Sequence, residues 1–413
     1  MDSLTLSSFK THASATSDVG RVRKNNEDAF LCQPELGLFA VADGMGGHAA
    51  GEVASAMAIE TLRRALDGLP DQAFVRDPSL DNRRAMLQFL SSAIRDTNSA
   101  IYSRGMADPN LRGMGCTLDV AVVRGRSLFL AHVGDSRAYG MLGGTLYQLT
   151  EDHTFGQTLL SGGAMTAAEV ATHPQRNLLM RALGVYPKVE VDTAYLDIAP
   201  GDVFMLCSDG VHGMVDHQVI EKSTTESGPS TAQSLIDAAM QAGGRDNATA
   251  VVVQLTACDS HSAIQVSSER IRRAMTRASL FAKLNTAELL RIQQIATGRI
   301  VSAGEDVFKK DEWVSDIYLV LDGQTSVWHD DVRVGWHGPG DPFGELSLFP
   351  AESLVTVRAD VPTRLLRFPI AQLQELIASD HSIGVKLTLN ALARVWQRFQ
   401  QVAKRNARLL SGQ

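Results

Sequence analysis

Short apolar runs in the first 257 positions are repeatedly bounded by a single acid. In the first of them, the five apolar residues 38–42 lead into Asp43 and a turn rich in glycine. Such runs predict buried strands, and the glycines that follow end them sharply. The acids at these strand boundaries are Asp43, Asp135, Asp209 and Asp246. A carboxylate at the end of a rigid strand suits a hard divalent cation, although an Asp-Gly hairpin turn explains Asp43 equally well when it is taken alone.

Helical periodicity marks two segments of the same region. Residues 51–66 and 83–103 each carry apolar residues on one side, and they predict two amphipathic helices. From residue 115 onward, strand-like runs separated by turns predict antiparallel hairpins. Residues 154–178 are less regular, which fits either a mobile flap over a site or an ordinary helical connection.

The composition is that of an ordinary globular protein. The chain has 413 residues, a length that is enough for two or three domains. Its residues are 44% hydrophobic and 21% charged, as is usual for a globular protein. A net charge of −7 gives no footprint for nucleic acid, and no apolar stretch approaches the length of a membrane span. The N-terminus lacks the features of a signal peptide. Four widely spaced cysteines without a CxxC pair predict reduced thiols in a cytoplasmic protein.

The acids at the strand boundaries predict a metal site if the strands bring them together. Carboxylates that converge in space repel one another unless cations lie between them. No His or Cys set has zinc spacing, so we expect all-oxygen ligation of Mg²⁺ or Mn²⁺. Two such ions could share a bridging carboxylate and lower the pKa of a water, while an arginine held an anionic substrate. The residues alone therefore favour metal-assisted hydrolysis of a phosphate ester.

Seven motifs occur in the order found in one enzyme family. They are Val22-Arg23 to Asp28, Asp43-Gly44-Met45-Gly46-Gly47-His48, Gly134-Asp135-Ser136-Arg137, Leu149-Thr150-Glu151-Asp152-His153, Arg181-Ala182-Leu183-Gly184, Ser208-Asp209-Gly210 and Asp246-Asn247. Over about residues 12–256 the chain resembles bacterial members of the protein phosphatase 2C family, which are metal-dependent phosphoserine and phosphothreonine phosphatases. The resemblance implies an α+β fold in which a β-sandwich of two antiparallel sheets is flanked by helices.

The resemblance also implies roles for individual residues. Asp43 would bridge two Mn²⁺ or Mg²⁺ ions, and Arg23 would hold the substrate phosphate. Asp209 and Asp246 would complete the first ion site, and Glu27 with the carbonyl group of Gly44 would hold the second ion. Asp28 would either be a ligand or support a ligand from outside the coordination shell. Asp135 with Asp209 would form a third, looser metal site. His48 is expected to cap or pack at a helix start, and His153 to fix a turn.

The remaining residues show many short strands between helices. A polar linker and helix over 257–278 precede a domain expected at 279–409, where glycines punctuate the strands and predict a small β-barrel or jelly roll. Asn285, with Glu288 three residues later, predicts the start of a capped helix. A long helix is expected over 381–409. The apolar residues expected on one of its faces are Leu387, Ala391, Val395 and Phe399.

Residues 279–400 resemble the cyclic-nucleotide-binding domain family. The motifs that carry the likeness include Ile317–Gly323, Gly340–Leu346 and Thr356–Ala359. In nucleotide-binding members a Gly-Glu pair takes the ribose, and a later arginine pairs with the cyclic phosphate. Gly344 and Glu345 are present here, but the arginine position falls on Ser353. The phosphate would lose a partner worth roughly 1.5–3 kcal/mol, and Glu345 would add uncompensated negative charge.

A cyclic nucleotide is therefore not expected as a tight ligand of this domain. The domain could instead bind another small ligand, form a homodimer through the terminal helix or dock a partner. The leading hypothesis for the whole chain is a cytoplasmic Mn²⁺- or Mg²⁺-dependent phosphatase with a C-terminal regulatory domain, acting on a phosphoprotein made by a cognate serine/threonine kinase. The alternative is a signalling receptor whose C-terminal domain is primary and whose phosphatase half is a scaffold. The complete set of acids favours the enzyme.

Overall fold

The computed structural model describes residues 9–46, 50–66, 80–257, 268–348 and 352–411. The chain separates into two compact units, Met1–Ala263 and Ile264–Gln413. His48 and the linker residues 258–267 lie outside the described residues. Within the described ranges, no helix combines the length and the apolar character needed to cross a membrane.

Two antiparallel sheets form the first unit. Their strands are β1 (Phe9–Asp18), β2 (Asp28–Gln33), β3 (Leu38–Met45), β4 (Gly115–Cys116), β5 (Leu118–Arg124), β6 (Ser127–Val133), β7 (Arg137–Leu142), β8 (Thr145–Gln148), β9 (Asp192–Asp197), β10 (Val203–Cys207) and β11 (Ala248–Ala257). One sheet has the order β2-β3-β5-β6-β9, with β4 beside β3, and the other has the order β1-β11-β10-β7-β8. Phe39 of β3 meets Phe204 of β10 edge to face, with ring centroids 5.4 Å apart, so these side chains join the two sheets.

Helices cover both outer faces of this sandwich. The α-helices of this unit are α1 (Ala50–Leu66), α2 (Leu80–Ala107), α3 (Phe155–Ser161), α4 (Ala167–Thr172), α5 (Asp209–His212), α6 (His217–Thr225) and α7 (Thr231–Gln241). Leu62 of α1 and Leu90 of α2 are buried in a core shared with β3 and β5. Leu235 and Ile236 of α7 are buried against the other sheet. The predicted sandwich with flanking helices is thereby confirmed, and the segment left open at 154–178 contains helices α3 and α4.

The second unit packs two four-stranded antiparallel sheets. Its strands are β12 (Thr297–Val301), β13 (Asp306–Phe308), β14 (Asp316–Asp322), β15 (Thr325–His329), β16 (Val332–His337), β17 (Pro342–Phe343), β18 (Thr356–Ala359) and β19 (Thr363–Pro369). The sheet orders are β12-β19-β14-β17 and β13-β18-β15-β16. The sheets do not close into a barrel, so of the two predicted forms the double-sheet arrangement is present.

Strand β14 shows why this unit needs helices. Tyr318 and Val320 belong to the core between the sheets, whereas Ile317 and Leu319 belong to a second core formed with the helices. A strand that is apolar on both faces must be covered on both. The helices are α8 (Ser268–Arg277), α9 (Thr286–Gln293), α10 (Ile370–Ser379) and α11 (His381–Ser411). Asn285 and Glu288 form the predicted capping box at the start of α9.

The predicted apolar face of α11 is wrong at its C-terminal end. Leu387 and Ala391 are buried in the unit, but the side chain of Phe399 is 61% exposed. A spacing of four residues advances about 40° beyond a full helical turn, so three such steps rotate by about 120°. Phe399 therefore lies on a different face from Leu387.

Candidate active site

A cavity of about 260 Å³ lies where β3 ends in the first unit. It is lined by Arg23, Glu27, Asp43, Gly44, Met45, Gly46, Thr117, Asp135, Asn177, Leu179, Asp209, Asp246 and Asn247. The structure therefore brings together acids that are up to 219 residues apart in sequence, between Glu27 and Asp246. Of the predicted site residues of this unit, Asp28 does not line the cavity.

Two glycines allow Glu27 to approach the end of β3. The Gly44 N–H donates to the carbonyl oxygen of Glu27 at 3.1 Å. A Cβ at Gly44 would lie 2.2 Å from the carbonyl oxygen of Gly51, and a Cβ at Gly51 would lie 2.8 Å from the Glu27 carboxyl group. Both distances are too short for real side chains, so glycine at these positions is a steric requirement of the site.

Asn247 and Thr117 position the acids, although the sequence motifs predict no role for either residue. Asn247 Oδ1 accepts a hydrogen bond from the Glu27 N–H at 2.8 Å, and its Nδ2 donates to the carbonyl oxygens of Val19 and Asn25. Thr117 Oγ1 accepts from the Asp43 N–H at 3.0 Å. The sequence signal for such a role of Asn247 was its place directly after the predicted ligand Asp246, since a polar side chain that is buried there must be hydrogen-bonded.

The electrostatics of the cavity are strongly one-sided. Five carboxylates, but only the guanidinium of Arg23 as a cation, are among the described residues that line it. Enclosure by protein raises the pKa of Asp43 well above its ordinary value, and the surrounding carboxylates raise it further. Burial, followed by Asp209, raises the pKa of Asp135 to about 7. Burial and the neighbouring carboxylates both disfavour the charged form of these two carboxyl groups, so their pKa values rise.

Asp28 lies behind the cavity, where it pairs with Asp43 across strands β2 and β3. Its Oδ2 accepts hydrogen bonds from Ser208 at 2.7 Å and from Thr249 at 2.6 Å, while its buried Oδ1 has no partner. Burial raises the pKa of Asp28 to about 6, and the two hydroxyl donors oppose that rise. Asp28 is thus an anchored acid with one free oxygen.

Arg23 lies at the mouth of the cavity. Its Nη2 atom donates to Asp246 Oδ2 at 2.7 Å, and its side chain is 52% exposed. The hydrogen bond to Asp246 is the largest cause that raises the pKa of Arg23. An exposed ion pair of this kind contributes little stability, so the guanidinium can exchange one anionic partner for another at low cost.

The residues fit hard divalent cations, although they do not form a closed coordination shell. In the described part of the chain, no three His, Cys, Asp or Glu side chains already surround one point as metal ligands would. The available donors are all oxygens, they carry excess negative charge, and Asp28 keeps an unpartnered buried oxygen. Such a donor set suits Mg²⁺ or Mn²⁺, which take carboxylate and carbonyl oxygens and retain several waters.

His153 holds the loop that carries Asp135. Its backbone N–H donates to the Gly134 carbonyl oxygen at 2.7 Å, and its ring Nδ1 accepts from the Gly134 N–H at 3.1 Å. Burial lowers the pKa of His153 to about 4, so the ring is neutral. Its Nε2 lies 3.3 Å from Asp192, and its carbonyl oxygen accepts from Met180, next to the cavity residue Leu179. These contacts agree with the prediction that His153 fixes a turn.

In the second unit, the expectation of an uncompensated charge on Glu345 is wrong. Glu345 is 1% exposed, and its Oε1 lies 3.3 Å from Arg394 Nε and 3.2 Å from Arg398 Nη1, both on helix α11. Gly344 has φ +82°, and a Cβ there would lie 2.7 Å from the carbonyl oxygen of Asp316. The Gly-Glu turn therefore exists, but its carboxylate already has two cationic partners.

Ser353, at the expected arginine position, hydrogen-bonds backbone groups of its own loop and of the loop at Asp311 and Glu312. Its N–H donates to the carbonyl oxygen of Glu312 at 2.9 Å, and its carbonyl oxygen accepts from the Asp311 N–H at 2.7 Å. Its hydroxyl donates to the carbonyl oxygen of Val355 at 2.8 Å. Ser353 thus anchors a loop, and a serine hydroxyl cannot supply the charge that a phosphate partner needs.

Comparison with known proteins agrees with both resemblances. Residues 21–247 match the family model described as protein phosphatase 2C, and residues 299–380 match the one described as cyclic nucleotide-binding domain. The serine/threonine protein phosphatase PstP of Mycobacterium tuberculosis is 41% identical over 246 residues, which cover 59% of this chain and 45% of PstP. The chain thus spans less than half the length of that relative.

A further relative and a solved structure cover the first unit almost completely. The serine/threonine phosphatase stp of Listeria welshimeri is 37% identical over 248 residues, which make up 95% of its length. A crystal structure of the PstP catalytic domain in complex with two manganese ions has a TM-score of 0.51 and 38% identity, and the match covers 60% of this chain and 99% of that one. The chain belongs to the protein phosphatase 2C family.

Proposed function

We propose that this chain is a metal-dependent protein phosphatase that hydrolyses phosphoserine and phosphothreonine. The observation that carries the proposal is the cavity in which five carboxylates meet a single arginine. The relatives named as serine/threonine phosphatases and the related structure with two manganese ions support it. The chemistry of a phosphate ester needs both an ion site and an anion-binding cation, and this cavity offers both.

The acids would divide between two ions, with Asp43 shared by both. Asp209 and Asp246 would hold the first ion, and Glu27 with the carbonyl oxygen of Gly44 would hold the second. When bound, the ions supply charge that stabilises the transition state and acidify a water for attack near neutral pH. Asp28 would orient Asp43 from behind, and Asp135 with Asp209 would form a third, looser site.

Arg23 would bind the substrate phosphate. Its guanidinium pairs with Asp246 and is half-exposed at the mouth of the cavity. With Asp246 engaged as an ion ligand, the guanidinium of Arg23 would be free to direct its two parallel N–H groups toward two phosphate oxygens, a geometry in which arginine binds strongly. Arg23 therefore holds the substrate in place, and the acids hold the ions.

The experiment is hydrolysis of a phosphothreonine peptide in the presence of Mn²⁺ or Mg²⁺. Asp43→Asn and Asp209→Asn should each lower kcat/KM by about 10³-fold, the upper range for loss of one electrostatic catalytic group. Asp197→Asn is the matched control, because Asp197 lies on β9 and pairs with Arg83 outside the cavity. Near-normal rates in Asp43→Asn or Asp209→Asn, with folding verified by circular dichroism, would refute the ion assignment.

The phosphoprotein substrate would come from a cognate serine/threonine kinase, because a phosphatase of this specificity needs a partner that adds the phosphate. We also propose a cytoplasmic location. Cys116 and Cys207 are buried free thiols, and burial raises the pKa of both, as expected for thiols that are kept reduced. The second unit would act as a regulatory or dimerisation domain.

A receptor for a small ligand is the second candidate function of the C-terminal unit. The match to the cyclic nucleotide-binding domain and the Gly344-Glu345 turn favour it. The two arginines on Glu345 and the serine at position 353 oppose a cyclic nucleotide as that ligand. Calorimetry with cyclic AMP and cyclic GMP separates these cases, since micromolar binding would establish the receptor function.

A further inference from the structure

We infer that helix α11 forms a two-stranded coiled coil with α11 of a second copy of this chain. The inference deepens the proposed dimerisation role of the second unit and names the surface. Its basis is a stripe of five large apolar side chains on α11, each between 56% and 61% exposed. The stripe is formed by Val385, Leu389, Leu392, Trp396 and Phe399.

The spacing of the stripe is that of a coiled coil. Its members are separated by four, three, four and three residues, which is the alternation of a heptad repeat with apolar residues at positions a and d. Leu389 and Trp396 take position a, and Val385, Leu392 and Phe399 take position d. An ordinary surface helix has no reason to keep this register on its exposed side.

The stripe lies on the side of α11 that its own unit does not use. Ile383, Leu387 and Ala391 are buried in the core of the unit, and Arg394 reaches Glu345 from the same side. At about 100° per residue, Ile383, Leu387 and Arg394 lie about 180°, 140° and 160° from Leu392 around the helix, and Ala391 lies about 100° from it. The arginine contacts thus fix which side of α11 faces outward.

The charges beside the stripe allow two identical helices to meet. The flanking e and g positions are Lys386, Thr388, Ala393, Val395, Gln400 and Val402. Among them only Lys386 is charged, and its ammonium group lies 2.7 Å from the buried carboxylate of Glu288. Two copies of this surface therefore carry no unneutralised like charges at these positions, whereas such charges would oppose self-association.

The area is sufficient for a weak to moderate dimer. Five side chains of this size can each bury on the order of 100 Å², so two helices together remove about 1,000 Å² from water, close to the lower limit for a specific interface. The helix itself also needs such a partner. It continues to Ser411, and among its residues whose burial the structure describes, Ala391 is the last buried one. Helices gain most of their stability from packing an apolar face.

The test is the molar mass of the full chain, measured by sedimentation velocity and light scattering over micromolar concentrations. The wild-type chain should dimerise. Leu392→Glu and Trp396→Glu should each weaken dimerisation by about 100-fold, because they place a charge in the centre of the interface. Both side chains are solvent-exposed in the single chain, so these changes should leave the core of each unit intact, which the thermal unfolding transitions check. Gln397→Glu, on an exposed position of α11 outside the stripe, should leave the dimer intact.

A cross-linking variant locates the contact independently. Leu392 is the middle residue of the stripe and occupies position d, which faces the same residue of the partner helix in a parallel coiled coil, so Leu392→Cys should form a disulfide between two copies. Gln397→Cys and the wild-type chain, with its native cysteines, are the controls and should not cross-link. A wild-type chain that stays monomeric, or a dimer that survives Leu392→Glu and Trp396→Glu, would overturn the inference.

Phosphopeptide hydrolysis is measured on the same samples. A wild-type chain that dimerises but is inactive would contradict the proposed function, and one that is active but monomeric would contradict the coiled coil.

Discussion

Two buried carboxylate sites in this chain obtain their positive charge in opposite ways. In the first unit, five carboxylates line one cavity with Arg23 as their only cation among the described lining residues. In the second unit, the single carboxylate of Glu345 lies against Arg394 and Arg398. Burying charge is costly unless it is neutralised. In the second unit the chain itself supplies the cations that pair with the carboxylate, whereas in the first unit we expect bound ions and a substrate to supply the missing balance of charge.

The largest effect expected from this comparison is a response of the first unit to Mn²⁺. An ion that binds only the folded state stabilises it by about 2.7 kcal/mol at 100 times Kd. Thermal unfolding followed by calorimetry should therefore show the transition of the first unit rising with Mn²⁺, while that of the second unit stays in place. Equal shifts of both transitions, or none, would contradict the difference between the two sites.

The effect of Mn²⁺ should also grow with pH. Burial raises the pKa of Asp28 to about 6 and that of Asp135 to about 7. A carboxyl group with a raised pKa in the folded state holds its proton up to that pH, and the ion must displace the proton. The stabilisation by Mn²⁺ should thus be small at pH 5.5 and fully present near pH 8. Comparing each pH with and without Mn²⁺ cancels the titration of groups outside the cavity.

The two sites also differ in how many of their residue contacts could be predicted from the sequence. The acids of the first site end or begin apolar strands, so the sandwich with one acidic rim, including Asp43 and Asp209, could be predicted from local patterns and motif order. The partners of Glu345 could not. Arg394 lies 49 residues away on a helix, and helical periodicity says which side of a helix is apolar but not which distant carboxylate an arginine on it will meet.

Removing the charge of Glu345 should destabilise the second unit. Glu345→Gln keeps the shape of the side chain but leaves Arg394, which is only 15% exposed, without its carboxylate. Loss of one partner from a buried ion pair costs about 3 kcal/mol, and somewhat less here because Arg398 is half-exposed. Urea unfolding should show this loss in the second transition alone.

Glu375→Gln, at an exposed position of α10, is the control and should change the free energy of unfolding by less than about 0.5 kcal/mol. A tolerated Glu345→Gln would mean that the pair is not a structural unit.

A smaller effect is expected at His153, which acts on the acidic site through the backbone of Gly134. His153→Leu leaves the Gly134 N–H without its acceptor, a loss of about 1–2 kcal/mol, so kcat/KM should fall by about 10-fold. The Mn²⁺ concentration for half-maximal activity should rise, since Asp135 lies on the same loop. His153→Asn offers an oxygen in place of Nδ1 and should restore part of the activity. If Asn and Leu behave alike, the hydrogen bond to Gly134 does not position the loop.

The smallest effect is expected when cyclic AMP or cyclic GMP is added. A cyclic nucleotide needs a carboxylate for its ribose and a cation for its phosphate. In the second unit the carboxylate is already paired, and the position expected for the cation holds a serine. Glu345 Oε1 lies against two arginines, and Ser353 is hydrogen-bonded within its own loop. To bind, the nucleotide would have to displace Arg394 from Glu345 and leave its guanidinium without a carboxylate partner. Calorimetry should show no micromolar binding, and the second unfolding transition should not move. Binding to Arg394→Gln but not to the wild-type chain would show that the arginine, and not the missing cation at Ser353, keeps the nucleotide out.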